Sequence, residues 1–515
     1  MREIVTLQFG QQANYIGTHY WNTQESYFTY AGQEESLVDH DVSFRAGVGA
    51  NGEDTYTPRT LIYDLKGAFG TLRRENALYQ LQQHEDPTQE GGWGGATLPL
   101  RLSAIAPSAY QQALEQGAEL PHLTTETVRF WSDYNHLYYH PRSIVQLNEY
   151  ELNSSLMPFE RWRSGEDLFA DLDREHDLLD RDLRPFLEEC DQLQGLQIIS
   201  GIDDAWGGFA ASYLERISDD LGKGCRWVFG LQDGKRTSRE HQHLQTGNTA
   251  QSVYALDSSA SIHIPITSLP SLPGYVSLGP ASRWYTSALQ AAMLESATLP
   301  TRLRQNQDAH ATFDRLETTL SNEGNRRLAA ASLSASTPSG SHQHGGQING
   351  RHDPRMANGL THEDEESRRD EGDQPDIDFF EDPFATRAPA SQVRAHVFTS
   401  VHTVREDERH ADDDRDADPD SFGDGPRTAT YRSSLLWPML PSYPPLFSFA
   451  GRGSKVALRA GISMTTAVSE RVRALERSAR RVVGIDEREA LCDGLVTIAE
   501  EYEDGWSDDE DYGED

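Results

Sequence analysis

Apolar side chains at Ile4, Val5, Leu7 and Phe9 alternate through the opening MREIVTLQFG and predict a buried strand. Gly10 ends that strand, and GQQANYIGTHYW is expected to run on as a helix turning Ile16 and Tyr20 inward. TPRTLIYDL predicts a second strand at Thr60–Asp64. Strands that lead into glycine-bearing turns point to a doubly wound α/β sheet. Farther on, Ser164 and Asp167 fit the helix-capping pattern S-x-x-[DE], and Leu168, Leu172, Leu179, Leu183 and Phe186 follow at helical spacing. Pro185 predicts a kink near that helix's end. LQGLQIIS (193–200) reads as a buried strand and Gly208–Leu221 as a helix. A strand, a short loop and a helix N-terminus is where an α/β protein places a phosphate site.

Elsewhere the pattern is less regular. The GGWGG cluster (91–95) marks a loop, and the aromatic stretch Glu126–Tyr139 predicts a helix against the body. From 331 to 433 the composition turns to Ser, Gly, His, Asp, Glu and Arg. Its runs EDEESRRDEGD and REDERHADDDRDADPD lack the apolar surface to offset chain entropy, so disorder is expected there. The island VRAHVFTSV (393–401) is expected to pair as a strand on the body. Leu435–Phe449 is apolar but broken by Pro438, Pro441, Pro444 and Pro445, which suits a buried extended segment. Val468, Val472, Leu475, Ala479 and Val482 share one helix face, with Arg471, Arg473, Arg477, Arg480 and Arg481 around the rest. A second helix over Asp486–Tyr502 carries Leu491, Leu495 and Ile498.

Composition narrows the function classes. The chain has 515 residues, enough for two or three domains. Its 37% hydrophobic content and mean hydropathy of −0.65 fit a folded body diluted by polar segments. A net charge of −36 repels phosphate backbones, which argues against nucleic acid as a direct partner and is compatible both with basic protein partners and with an acidic surface that only keeps the chain in solution. Three cysteines without a CxxC pair support neither a zinc site nor a disulfide framework. The first twenty-five residues set Arg2 alone against Glu3 and Glu25, unlike a mitochondrial presequence. No run approaches the roughly eighteen apolar residues of a membrane span, so no transmembrane segment is expected. The last sixteen residues hold ten acids and no base, a tail that either recruits basic partners or serves as solvated surface.

Several landmarks together resemble tubulin. Met1–Val5, Gln8, Gly10, Gln11, Asn14, Ile16 and Gly17 match its opening. Pro58, Arg59, Asp64 and Leu65 match the strand that follows, and Cys190, Asp191, Leu193, Gln194, Gly195 and Gln197 match the approach to its phosphate loop. Within that superfamily the pattern is most similar to the Misato family, called Dml in fungi. The resemblance implies a tubulin/FtsZ-like doubly wound parallel sheet domain, a second α/β domain, C-terminal helices and a long disordered insert. It divides the chain into a nucleotide-domain fold at 1–230, with a family-type insertion at about 86–160, and a second region at 231–330. An acidic linker at 331–433, helices at 434–502 and a tail at 503–515 follow. It also implies a role in mitochondrial distribution, morphology and inheritance of mitochondrial DNA. The location it implies is the cytoplasm and the outer mitochondrial face, with cytoskeletal or mitochondrial-surface protein partners.

A tubulin-type site needs backbone N–H groups at a helix N-terminus, glycine for close approach and a carboxylate for magnesium. Gly10, Gln11, Asn14 and Asp64 stand on matching positions, although Lys66 replaces an acid of the family pattern. Where tubulins carry G-G-G-T-G-S-G, this chain reads Ile202, Asp203, Asp204, Ala205, Trp206, Gly207, Gly208. A carboxylate about 4 Å from a phosphate costs about 4 kcal/mol at an effective dielectric near 20. A hydrogen bond returns only about 0.5–1.5 kcal/mol. The indole of Trp206 would also fill space that the ligand needs. Asp203 and Asp204 therefore read as helix-capping residues, with magnesium binding as the alternative. His241 and His243 lack a third ligand nearby and read as an exposed loop. The expectation is a non-catalytic protein without GTP or other cofactor, binding no metal. A divergent GTP-binding, filament-forming cytoskeletal protein is the competing reading, and a tubulin-folding factor is a third.

Overall fold

The computed structural model describes residues 2–29, 34–48, 52, 54–72, 105–222, 224–233, 238–268, 271–278, 282–321, 325–337, 376–381, 395–407 and 427–503. The GGWGG loop, both charge-rich runs but for their first residues at 405–407, and the tail beyond 503 lie outside these residues.

β1 (Glu3–Phe9) is buried at every position and passes through Gly10 into α1 (Gln11–Glu25). β2 (Phe44–Val48) and β3 (Asp54–Pro58) pair as a hairpin beside β4 (Thr60–Lys66). A short α2 (Ala109–Glu115) precedes β5 (Ile144–Glu151). Next come α3 (Trp162–His176), α4 (Arg184–Glu188), β6 (Leu193–Gly201), α5 (Ala205–Leu221), β7 (Cys225–Gln232), α6 (Arg239–Ser259) and β8 (Ile262–Thr267). The six strands pair in parallel in the order β5-β4-β1-β6-β7-β8. Central parallel strands are covered on both faces, which is why they read as near-continuous apolar runs. Side chains alternate between the two faces. Ile4 and Ile199 join one core with Ile16 and Tyr20 of α1, whereas Val5, Leu7, Phe9 and Ile198 join another with Leu168 of α3 and Phe209 of α5.

The chain continues through α7 (Arg283–Ala297) and α8 (Phe313–Ser321) into a second sheet. Its strands are β9 (Ala330–Ser336), β10 (Ile377–Asp378), β11 (Val397–Arg405) and β12 (Arg427–Ser433), followed by the short β13 (Trp437–Pro438) and the long β14 (Lys455–Thr465). The order is β10-β9-β14-β11-β12, with β13 beside β14. α9 (Ala467–Val482) and α10 (Ile485–Glu500) close the chain against α6. Glu295 of α7 knits these parts together. Its fully buried carboxylate meets Arg302 at 3.1 Å and Arg405 of β11 at 2.8 Å, and accepts from Gln24 of α1 at 3.0 Å.

Several expectations need correction. β5 belongs to the main sheet, so the stretch read as an insertion up to about 160 supplies an edge strand of the body. The linker expected at 331–433 starts inside β9 and contributes β10, β11 and β12 as well. Within the island at 393–401, Val397–Val401 belong to β11, which pairs with β14 and β12 as the expected strand. α3 begins at Trp162 with Arg161 as N-cap and no side-chain cap, so Ser164 and Asp167 fall within the helix. The helical path breaks at Asp177, which takes a left-handed φ of 47°, and not at Pro185. Pro185 lies in the first turn of α4, directly after a π-helical turn over Leu179–Leu183 that carries the chain past it. Glu126–Tyr139 holds a single 3-10 turn, Trp131–Tyr134, instead of a helix. Its aromatic residues Trp131, Tyr134 and Tyr139 are buried core, not one helix face. His241 and His243 sit in the opening turns of α6 and not in a loop.

Candidate functional site

The carboxyl ends of β1, β4, β6 and β7 open onto a cleft of about 250 Å³, below the roughly 300–1,000 Å³ usual for small-molecule sites. Of the residues singled out from sequence as site candidates or family matches, Gly10, Gln11, Asp64, Leu65, Asp203, Asp204, Trp206 and His241 line it.

Gly10 has a φ of +86°, open to glycine at little cost, and its N–H donates to Tyr63 O at 3.0 Å. A β-carbon there would stand 2.4 Å from Trp206 Nε1. The indole therefore covers the backbone that a phosphate would approach. It is held by edge-on contacts with Phe159 and Phe209, at centroid distances of 5.2 and 5.6 Å.

Asp64 is fully buried. Its carboxylate accepts from Gln11 Nε2 at 2.6 Å, Asn14 Nδ2 at 2.7 Å and Leu65 N at 2.9 Å. The amides of Gln11 and Asn14 are thus engaged by a neighbouring side chain. Burial pushes the Asp64 carboxyl up to about 7, with those hydrogen bonds pulling the other way.

Asp204 is the N-cap of α5 and accepts from Trp206 N at 2.9 Å. Asp203 lies deeper, accepting from Asp233 N at 2.8 Å and Gln245 Nε2 at 3.3 Å. Burial raises both carboxyls above the ordinary range, and the charge of Asp204 raises Asp203 further. Glu151, Glu160 and Asp233 add three more acids to the lining, against the single guanidinium of Arg283 at the start of α7. Such a wall suits cations and repels polyphosphates. Among the described residues, no group of three or more His, Cys, Asp or Glu is placed to hold a metal ion.

Asn14, Gly207 and Gly208 do not face the cleft. A β-carbon on Gly208 would come within 2.0 Å of Trp162 O, and one on Gly207 within 2.2 Å of Ser252 Oγ. Gly165 of α3 meets Ala205 O just as closely, at 1.7 Å from a built β-carbon. These glycines let α3, α5 and α6 approach one another. The sequence reading missed Glu151, Glu160, Asp233, Gln245 and Arg283, which carry no local motif.

Comparison with known proteins extends the picture. Residues 2–116 match the Misato Segment II tubulin-like domain, and residues 120–303 match a tubulin domain. The chain is 43% identical over 527 residues to Protein DML1 of Phaeosphaeria nodorum, with both chains fully covered. It is 45% identical over 515 residues to Protein dml1 of Aspergillus oryzae, again over both entire chains. Against Protein dml1 of Schizosaccharomyces pombe it is 34% identical over 326 residues, covering 59% of this chain and 66% of that one. Among the described residues no helix is long and apolar enough to cross a membrane.

Proposed function

Because the chain belongs to the Misato/Dml family of tubulin-like proteins, we propose that it acts in mitochondrial distribution, morphology and the partitioning of mitochondria and their DNA, without binding or hydrolysing GTP. The family supports the organelle role. The observation that supports the non-catalytic part is the seating of Trp206 on Gly10 beside the Asp203–Asp204 pair. The glycine surface that would receive a triphosphate is covered by an indole, and the adjoining helix N-terminus is already capped by a carboxylate. In this reading the body is a docking scaffold for protein partners at the cytoplasmic face of mitochondria.

Titration with a fluorescent GTP analogue tests the first half. No saturable binding is expected below about 10 µM, a threshold worth about 7 kcal/mol. Saturation below it, with magnesium dependence, would transfer the protein to a divergent GTP-binding, filament-forming class. Imaging of a tagged chain, with protease treatment of isolated mitochondria, tests the second half. A signal that is absent from mitochondria, or protease-protected, would remove the outer-face role.

A further inference from the structure

α9 is a basic helix in a chain of net charge −36. Its inner face, Val468, Val472 and Ala479, is buried against α10 and α6. Its outer face carries Arg473, Arg477 and Arg481 at four-residue spacing, all exposed and so forming one stripe. Arg480 beside them is paired with Glu476 of the preceding turn. Among the described residues no carboxylate pairs with Arg477 or Arg481; Arg477 Nε donates to Arg473 O.

The first cation of the stripe already holds a carboxylate. Arg473 Nε and Nη2 donate to the two oxygens of Glu503 at 2.8 and 2.6 Å, and Ser469 Oγ donates to Glu503 at 2.6 Å. This two-pronged geometry is the strong form of the arginine–carboxylate pair, and the Arg473 hydrogen bonds hold the Glu503 carboxyl below its ordinary range. Glu503 is also where the acidic terminus begins. Residues 504–515 carry seven further acids and no base. Arg473 to Arg481 spans about 12 Å of helix, and twelve extended residues reach about 40 Å. Length is therefore no obstacle.

We propose that the acidic segment 504–515 docks along the Arg477–Arg481 stripe of its own chain, continuing the seat that Arg473 and Ser469 provide for Glu503. A lipid surface fits the stripe less well, because the apolar face of α9 is spent on packing and the whole chain would be repelled by anionic headgroups. Tail and stripe then cover each other, and a partner that draws off one uncovers the other. Exposed ion pairs are individually weak and screened by salt, so the contact is salt-sensitive.

The test uses a full-length chain whose seven acids at 504–515 are changed to Asn or Gln, with a fluorescein-labelled peptide of the natural residues 504–515 as probe. Anisotropy should show saturable binding in 50 mM NaCl that weakens at least tenfold in 500 mM. Arg477→Gln with Arg481→Gln should weaken it at least tenfold, and Arg477→Glu with Arg481→Glu should abolish it. Both side chains are exposed, so unchanged circular dichroism is expected to accompany these variants. The unmodified chain should bind the peptide at least tenfold more weakly, because its own tail occupies the stripe. No binding to the neutral-tail chain, equal binding to the arginine variants, or equal binding to neutral-tail and natural chains would each overturn the proposal. So would sedimentation of the neutral-tail chain with phosphatidylserine vesicles in preference to the peptide.

Discussion

Trp206 lies across Gly10, so close that a single added β-carbon on the glycine would meet the indole at 2.4 Å. The two residues come from different turns of the sheet, one after β1 and the other in the first turn of α5. Their contact forms part of the cleft wall, and it can be measured. Gly10→Ala should lower stability through both this clash and its φ of +86°. Trp206→Ala alone should cost about 3–5 kcal/mol through lost packing on Phe159 and Phe209. In the Trp206→Ala background the further loss from Gly10→Ala should be smaller by about 1 kcal/mol or more, read from urea unfolding. Additive losses would mean that the contact carries no energy.

Asp204 separates capping from charge. Asp204→Ala removes the acceptor for Trp206 N and should cost about 1 kcal/mol. Asp204→Ser keeps a capping oxygen while removing the like charge beside Asp203, so its stability should equal or exceed the parent's. Chemical denaturation at pH 7.5 distinguishes the two. A serine variant as unstable as the alanine variant would mean that the carboxylate itself is required.

Glu295 is the only carboxylate in contact with both Arg302 and Arg405 among the described residues, and all three side chains are fully buried. Glu295→Gln leaves two buried guanidinium groups without a counter-charge and should cost about 3–5 kcal/mol. Adding Arg405→Met removes one of them. The double variant should therefore be more stable than the sum of the single losses predicts, by about 1 kcal/mol or more.

His263 gives the protein an acid-side weakness. Its ring is buried with neither nitrogen hydrogen-bonded, and burial, then the charge of Arg471, lowers it from 6.5 to about 3. The unfolded chain takes up a proton below pH 6.5 that the folded chain refuses down to about pH 3. This residue's share of stability is therefore present above pH 6.5 and lost as pH falls through that window. Asp64 acts oppositely: raised to about 7, it favours the folded state as pH falls from 7 toward its unfolded value of 3.8. The difference between parent and His263→Leu isolates the histidine. Thermal or urea unfolding should show the variant losing about 1.4 kcal/mol less per pH unit below 6.5. Parallel curves would mean that His263 is protonated in the folded chain.

What could be read in advance follows from how far each signal reaches along the chain. The strands at Ile4–Phe9, Thr60–Asp64 and 193–200, the first helix, and the final pair of helices were visible, because a buried face imposes its period locally. β5, β7 and β8 were not predicted, although they complete the same sheet. Of the stretch at 331–433 only the strand in the 393–401 island was expected, and β9, β10 and β12 were not, for a related reason. β9, β11, β12 and β14 pair across long stretches of polar chain, and local composition does not report a distant partner.

The candidate site divides the same way. The chain's order of residues alone established that Asp203, Asp204 and Trp206 stand where the family pattern has glycine, and that the molecule is strongly acidic. Folding decided which way they face. Gly207 and Gly208 turn from the cleft into helix packing and Asn14 reaches it only through Asp64, while Glu151, Glu160, Asp233 and Arg283 arrive from separate elements to complete its wall. Side-chain chemistry is a property of one residue, but a cleft's charge and shape depend on which residues the sheet brings side by side.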